Sequence, residues 1–336
     1  MRVSQLPKSK SHRKDKIIMK IRKIQKYAAI FAIAVLAFAL SSCSKGTGKA
    51  SDGTASPKDT VKIAYLPITH SLAVLEEAEE LEKSTGLKIE LVKYGSWPEL
   101  LDALNTGQVD GAEVLIELAM KSKQEGIGIK AVALGHKDGN VIVTNKNIKS
   151  ISDLKGKKFA IPHRQSSHNI LLNDALAEAG LTTADLEVVE LAPTEMPSAL
   201  ASGQIDGYCV AEPFGAKAVS LDVGQVLLKS EEIWKDSLCC GLVLTDAFLN
   251  DRTTDAKSFV ESYKKAGKNL TQEKAKEVAK KYLNSDNKVL DLSLQWISYD
   301  NLEITEETYN TLVEKVKKYG LSDNPPVFDD FVKNDL

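Results

Sequence analysis

From residue 61 onward, short apolar runs alternate with longer stretches of helical periodicity. In the first part of this region the order is strand, helix, strand, helix, strand, at 61–66, 71–84, 87–93, 97–105 and 109–115. The same order recurs at 158–161, 167–179, 186–191, 195–202 and 205–210. Alternation of this kind is typical of a parallel α/β sheet. The pattern therefore predicts two lobes of α/β class.

A repeated nine-residue segment supports this duplication. Residues 103–111 and 199–207 agree at seven of nine positions, counting one Val/Ile exchange. In each segment a helix is stopped by Gly, and an Asp-Gly step leads into a buried strand. Two similar turns could coincide by chance, but the flanking element order repeats as well, which favours a duplicated lobe.

Two apolar strands bracket the second copy, at 139–145 and 240–246. We interpret them as a paired two-strand hinge, which would permit the lobes to close around a ligand. Helical periodicity then dominates, at 256–269, 272–283, 286–297 and 306–319, and these helices are expected to pack mainly on lobe one. The predicted boundaries are 61–144 plus 240–336 for lobe one and 145–239 for lobe two.

The first 42 residues have the pattern of a targeting segment. Basic residues extend to Lys26, and an apolar run at 27–40 is followed by Ser41 and Ser42. Fourteen residues fall short of the roughly 20 that a transmembrane helix needs, and the run fits a signal peptide. We therefore predict a signal peptide at 1–42, with Met19 as an alternative start.

The residues that end this segment, Leu40-Ser41-Ser42-Cys43, resemble the lipobox of bacterial lipoproteins. The resemblance implies that Cys43 carries the lipid and anchors the chain at the extracytoplasmic face of the cell membrane. The alternative is an ordinary secretory signal with an incidental cysteine. Residues 43–60 are mostly Ser, Gly, Thr, Ala and Lys with few apolar side chains, and they predict a flexible tether.

The charge balance argues against nucleic acid as a partner, and the spacing of the cysteines argues against a metal site. Beyond residue 42 the chain carries 34 basic and 45 acidic residues, and this acidic balance argues against nucleic acid, whose phosphates need a basic face. Cys209, Cys239 and Cys240 lie in apolar surroundings at a spacing that indicates no metal site. We interpret them as buried free thiols, with a disulfide as the less favoured alternative.

Four stretches of the chain resemble a known family. They are Ala64-Tyr65-Leu66-Pro67-Ile68-Thr69, Ser96-Trp97 with Asp110-Gly111-Ala112, Ser166-Ser167-His168-Asn169, and Asp206-Gly207-Tyr208-Cys209-Val210-Ala211-Glu212-Pro213. The family is the nitrate/sulfonate/taurine/bicarbonate group of ABC-importer binding lipoproteins. The resemblance implies the type II periplasmic-binding-protein fold and partnership with a permease and an ATPase.

Loops that follow the predicted strands supply the candidate ligand-binding residues. In such sheets ligands bind at the carboxyl ends of the strands, where helix N-termini offer free backbone N–H groups. Imidazole, guanidinium and hydroxyl groups coincide near one such terminus, and the resemblance adds Trp97 and Asn140. The candidates are Thr69, His70, Trp97, Asn140, Arg164, Ser166, Ser167, His168 and Glu212. Ser96, Ser166 and Ser167 could instead simply cap their helices.

Glu212 bears on the choice of ligand. A carboxylate in the cleft would repel a bare anion unless the ligand also offers a donor. We therefore predict a small anionic or zwitterionic metabolite, captured by a monomeric, non-enzymatic protein without cofactors. The alternatives are a binder of pyrimidine or thiamine precursors, a pyrimidine-forming synthase whose cysteine-rich motif Cys239-Cys240 faintly echoes, and a signalling lipoprotein.

Overall fold

The computed structural model describes residues 60–336, apart from the side chain of Glu79. The predicted signal peptide and the predicted lipidation site Cys43 lie outside the described residues. So does the tether predicted at 43–60, apart from Thr60, which begins the first strand. Among residues 60–336, none of the helices combines the length and the apolar composition required to cross a bilayer.

The first sheet has five strands in the order β2-β1-β3-β11-β4. These are β1 (Thr60–Tyr65), β2 (Lys88–Lys93), β3 (Gly111–Leu115), β4 (Ile129–Leu134) and β11 (Cys240–Thr245). Strands β2, β1 and β3 are parallel, and β11 runs antiparallel between β3 and β4. Every residue of β3 and β11 is buried, as a strand covered on both faces requires.

The second sheet repeats this plan. Its order is β8-β7-β9-β6-β10 when it is written in the same direction. Its strands are β6 (Asn140–Thr144), β7 (Lys158–Ile161), β8 (Glu187–Glu190), β9 (Gly207–Ala211) and β10 (Gln225–Lys229). Three strands are again parallel, and β6 again runs antiparallel in the fourth position. The predicted α/β class with two duplicated units is confirmed.

The repeated nine-residue segment has the same role in both sheets. Gly107 and Gly203 both have positive φ, 69° and 71°, a conformation that glycine adopts without steric cost. The following aspartates then accept a hydrogen bond from a backbone N–H of the neighbouring strand, Asp110 from Lys62 at 2.8 Å and Asp206 from Lys158 at 3.1 Å. The sequence repeat thus encodes one helix-to-strand turn used twice.

The predicted hinge strands are present, but they do not pair with each other. Strand β6 is hydrogen-bonded to β9 and β10, and β11 is hydrogen-bonded to β3 and β4, because each lies inside its own sheet. The chain crosses between the sheets just before each of them, at 135–139 and 230–239. In the first crossing β5 (Lys137–Asp138) pairs antiparallel with β12 (Ile297–Ser298). The lobe boundaries themselves stay a prediction.

Thirteen helices of the described region cover the two sheets. They are α1 (Leu72–Thr85), α2 (Trp97–Asn105), α3 (Ile116–Gln124), α4 (Ser167–Glu178), α5 (Met196–Ala201), α6 (Phe214–Ser220), α7 (Ser230–Ile233), α8 (Asp246–Asp251), α9 (Thr253–Asn269), α10 (Gln272–Leu283), α11 (Asn287–Ser293), α12 (Glu306–Lys318) and α13 (Phe328–Phe331). Short 3-10 turns lie at Thr69–Ser71, Ile151–Leu154 and Thr183–Asp185.

The C-terminal helices divide between the sheets. Helices α9 and α10 pack on α1 beside the first sheet, as predicted. Helix α11 contacts α6 of the second, where Lys288 donates to the Ser220 carbonyl at 3.3 Å. Helix α12 also reaches α4, because Lys315 of α12 lies 2.6 Å from the Asp174 carboxylate. The C-terminal segment therefore ties both sheets together.

Candidate functional site

A buried group of histidine and cysteine side chains lies where the two sheets meet. His70 follows β1, His136 follows β4, and Cys239 and Cys240 lie at the start of β11. We call these four residues the His–Cys cluster. One ligand atom from each lies within 4.8 Å of the others, and all four residues are at most 1% exposed.

The contacts of His70 define its tautomer. Its Nε2 lies 3.1 Å from the carbonyl oxygen of Gly139, and its Nδ1 lies 3.4 Å from Cys240 Sγ. A carbonyl oxygen can only accept, so Nε2 of the neutral ring carries the proton. Nδ1 therefore presents its lone pair to the thiols. The ring of His136 stacks on that of His70, with centroids 3.5 Å apart.

The two thiols of the cluster differ in their acidity. Burial raises the pKa of Cys240, and the neighbouring Cys239 raises it further. Burial also acts to raise the pKa of Cys239, but the hydrogen bond from Cys240 lowers it well below the usual value. Cys239 is therefore the more acidic of the two thiols.

Two residues of the second sheet face the cluster. Asn140 opens β6, and its Oδ1 lies 3.7 Å from Cys239 Sγ. His168 lies in the first turn of α4, and burial lowers its pKa to about 4. Burial likewise lowers the pKa of His136 to about 4. Both rings are therefore neutral at pH 7, and none of their nitrogens makes a hydrogen bond of normal geometry among the described residues.

Buried carboxyl groups lie beside the cluster. Burial raises the pKa of Glu113 to about 8, although a hydrogen bond from Tyr263 opposes the shift. Burial also raises the pKa of Glu117 well above its usual value. Gly135 makes room for Glu113, because a Cβ at that position would lie 2.7 Å from Glu113 Oε2.

Thr69 and Glu212 connect the two sheets. The Thr69 backbone N–H and hydroxyl both donate to the Glu212 carbonyl, each at 2.9 Å. The Glu212 carboxyl accepts from the Ala216 N–H at 3.1–3.2 Å, in the first turn of α6. Burial raises the pKa of Glu212 to about 8, so the group is mostly neutral at pH 7. This changes the expectation of a charged carboxylate in the cleft.

The polar side chains that were predicted to act together at the start of α4 have different surroundings in the structure. Ser166 caps the helix, accepting from the Asn169 N–H at 3.3 Å. Arg164 is exposed, and its guanidinium donates to the Val188 carbonyl at 2.8 Å, beside β8. Ser167 is fully buried, and its hydroxyl has no hydrogen-bond partner among the described residues.

Trp97 lies at a separate cavity. The cavity has a volume of about 270 Å³, and loops of both sheets line it, among them Ser96, Trp97, His163 and Glu195. The indole is 2% exposed, and its Nε1 has no hydrogen-bond partner in the described part of the chain. Trp97 is thus a buried donor between the two sheets.

Sequence reasoning placed His70, Asn140 and His168 among the site residues but missed His136, Cys239 and Cys240. His136 follows a strand end by the same rule that selected His70, so the signal was present. The cysteines are free and buried, as predicted. Their spacing indicated no metal site, because the two histidines that meet them lie more than 100 residues away in sequence.

A sequence model of the NMT1-like family matches residues 54–284. The ligand-binding component of an ABC-type import system from Staphylococcus aureus, solved with zinc bound, is 40% identical, with a TM-score of 0.79 over 82% of this chain and 96% of that one. The aliphatic sulphonate-binding protein SsuA of Escherichia coli is 19% identical, with a TM-score of 0.67 over 83% of this chain and 93% of that one. These likenesses confirm the predicted periplasmic-binding-protein fold.

Among curated proteins, the nitrate import ATP-binding protein NrtC of Synechocystis is 28% identical over 209 residues, which are 55% of this chain. The chain spans only 31% of the length of that relative. The family match covers more than half of this chain, and the fold of both sheets agrees with it. The chain therefore belongs to the NMT1-like family.

Proposed function

We propose that this protein is the substrate-binding component of an ABC importer and captures a small anionic or zwitterionic metabolite between its two lobes. In this proposal Cys43 holds the chain at the extracytoplasmic face of the membrane. The protein acts as a monomer that delivers its ligand to a permease driven by an ATPase. The named relatives with import functions support this assignment.

The observation that carries the proposal is a set of buried polar groups without partners between the sheets. They are Trp97 Nε1, Asn140 Nδ2, Ser167 Oγ and both ring nitrogens of His168. Folded proteins pair the large majority of their buried polar atoms, so each exception calls for an explanation. In this proposal a ligand lying between the cavity at Trp97 and the His–Cys cluster accepts hydrogen bonds from these groups.

The chemistry of these groups favours an oxyanion. The Trp97 indole, the Asn140 amide, the Ser167 hydroxyl and one ring nitrogen of the neutral His168 can each donate a hydrogen bond. His168 and Ser167 lie in the first turn of α4, where backbone N–H groups and the helix dipole favour negative charge. Glu212 is mostly neutral at pH 7, so it does not repel an anion. The sequence-based objection to nitrate is thereby weakened.

A thermal-shift screen tests the proposal. The panel contains nitrate, bicarbonate, taurine, alkanesulfonates, thiamine and pyrimidine precursors, followed by calorimetry on each ligand that raises the melting temperature. We expect at least one oxyanion to bind, and we expect small-angle scattering to record a smaller radius of gyration at saturation. Turnover of a pyrimidine precursor would instead support the synthase alternative.

Two variants and one matched control locate the site. His168→Ala and Trp97→Phe remove donors and should weaken binding by about tenfold each, the equivalent of roughly 1.4 kcal/mol. Trp296→Phe is the matched control for Trp97→Phe, because Trp296 is only partly buried and does not line the cavity at Trp97, and it should leave affinity unchanged. Equal affinities in all three variants would contradict this placement of the ligand.

A further inference from the structure

The structure carries a second inference, which does not depend on the importer proposal. We propose that the His–Cys cluster binds one tetrahedrally coordinated transition-metal ion of the zinc type, through His70, His136, Cys239 and Cys240. Two imidazoles and two thiolates form one of the common ligand sets of Zn²⁺ in proteins. All four residues belong to segments beside the first sheet.

Distances between the ligand atoms agree with a tetrahedron. Zn–S bonds of about 2.3 Å and Zn–N bonds of about 2.0–2.1 Å place two sulfurs about 3.8 Å apart and a sulfur and a nitrogen about 3.6 Å apart. The sulfurs of Cys239 and Cys240 are 3.7 Å apart. His70 Nδ1 lies 3.4 Å from one of them and 3.8 Å from the other. These three atoms are therefore spaced for a tetrahedral site, whereas the His136 ring, which stacks on His70 with centroids 3.5 Å apart, must turn to direct a nitrogen at the same ion.

The backbone lets two adjacent cysteines serve one site. Neighbouring residues of a regular strand point to opposite faces of its sheet. Cys239 precedes the first residue of β11, and its carbonyl accepts a hydrogen bond from Ile116 N–H at 2.8 Å. Because Cys239 is outside the strand, its thiol and that of Cys240 both reach His70.

His70 has the outer contact expected of a metal ligand. Metal-binding histidines usually donate their second ring N–H to a carbonyl or carboxylate, which sets the ring orientation. His70 Nε2 has that contact with the Gly139 carbonyl. The carbonyl is itself held in place, because it also accepts from Glu212 N–H at 3.0 Å. The lone pair of Nδ1 is thus directed at the cluster without any rearrangement.

His136 supplies an independent observation. It is fully buried, and neither of its ring nitrogens makes a hydrogen bond of normal geometry in the described region, although it stacks against His70. Its only polar contacts among the described residues are weak ones with Cys239 and the backbone of Asp138. So poorly paired a polar group in the interior is costly, and coordination would satisfy it. Two thiolates would also balance the charge of a divalent ion, which removes the penalty of burying a net charge.

The wild-type protein gives the first test. Untagged full-length protein is stripped with a chelator under reducing conditions, titrated with Zn²⁺ and passed over a gel-filtration column. We expect one zinc per chain by mass spectrometry. With Co²⁺ we expect the thiolate charge-transfer band and the strong visible bands of a tetrahedral thiolate site. A ratio near zero, or a weak octahedral cobalt spectrum, would overturn the proposal.

Variants then assign the ligands. Cys239→Ser, Cys240→Ser and His136→Ala should each lower zinc affinity by at least about tenfold, since even the loss of an outer contact of a metal site has an effect of this size. The affinity is measured by competition with a chromophoric chelator. Cys209→Ser is the matched control, since Cys209 is an equally buried free thiol outside the cluster. If the three variants bind zinc like the control, the ion lies elsewhere and the proposal fails. Because the wild-type cobalt spectrum needs no variant, a variant that misfolds leaves that test intact.

The two proposals fail separately. Oxyanion binding is measured on chelator-treated protein, and zinc binding is measured in the absence of any oxyanion ligand. If the protein binds zinc but binds no oxyanion, the metal inference stands and the importer proposal loses its ligand. If it binds an oxyanion but binds no zinc, only the metal site is ruled out.

Discussion

Replacing Glu212 with glutamine tests how ionisation of the carboxyl group at the junction of the sheets affects the stability of the protein. Its oxygens accept from the Ala216 N–H, and the side chain is completely buried. Burial raises the pKa of Glu212 from an ordinary 4.5 to about 8. Glutamine keeps an oxygen that can accept the same hydrogen bond, but it never ionises. The substitution therefore isolates the effect of the ionisable proton.

The sign of the effect follows from proton linkage. At pH values between the pKa of Glu212 in the unfolded chain and its pKa in the folded protein, the folded state binds more protons at this group. The free energy of unfolding is therefore highest at acid pH and falls as the pH rises. From pH 4 to pH 7 the loss is about 3 kcal/mol, since one pKa unit corresponds to about 1.36 kcal/mol. Glu212→Gln should abolish this part of the pH dependence.

Urea unfolding at pH 5 and pH 7.5 measures the difference. We expect Glu212→Gln to be more stable than wild type at pH 7.5 by up to about 3 kcal/mol and to lose most of this advantage at pH 5. Glu178→Gln, at an exposed position of α4, is the control and should have little effect at either pH. A stability difference that is the same at both pH values would refute the reasoning.

Three further predictions concern the fold and the anchor. Asp174→Ala leaves Lys315 without its partner at 2.6 Å and should lower the free energy of unfolding by about 2 kcal/mol in urea titrations; an unchanged midpoint would contradict the role of α12 in tying the sheets together. Gly215→Ala adds a Cβ that would overlap Val141, so we expect a loss of about 1–3 kcal/mol in thermal unfolding, and a loss below about 0.5 kcal/mol would count against this close packing. Cys43→Ser should release the protein from membranes or leave it unprocessed, and a membrane-bound mutant of mature size would argue against the lipid anchor.

The fold could be predicted from the sequence because its signals are local. Period-two and helical patterns located most elements to within a few residues, and the prediction of a helix over 272–283 agrees with α10. The helix predicted at 286–297 ends earlier, at Ser293, where the chain turns to form β12 beside β5. That pairing depends on a segment about 160 residues away, which no local pattern contains.

The site was less predictable, for a related reason. The rule about strand ends selected His70 and His168, which the structure places as buried polar residues near the meeting point of the sheets. The capping alternative for Ser166 is confirmed, whereas no local pattern indicated that Arg164 would turn toward β8. Rotamer choices of this kind depend on which neighbours tertiary packing supplies.

The position of β11 has a consequence for the order of events during synthesis. This strand lies between β3 and β4 in the first sheet, yet its residues follow every strand of the second. The second sheet is continuous in sequence at 140–229, so it can assemble as the chain emerges, whereas β4 has no partner within the first sheet until residues 240–245 arrive. Closing so long a loop is slow. Because Cys239 and Cys240 arrive with β11, the histidines near them gain their neighbours only at this late step, and a chain truncated before residue 239 would contain two of the four side chains of the cluster.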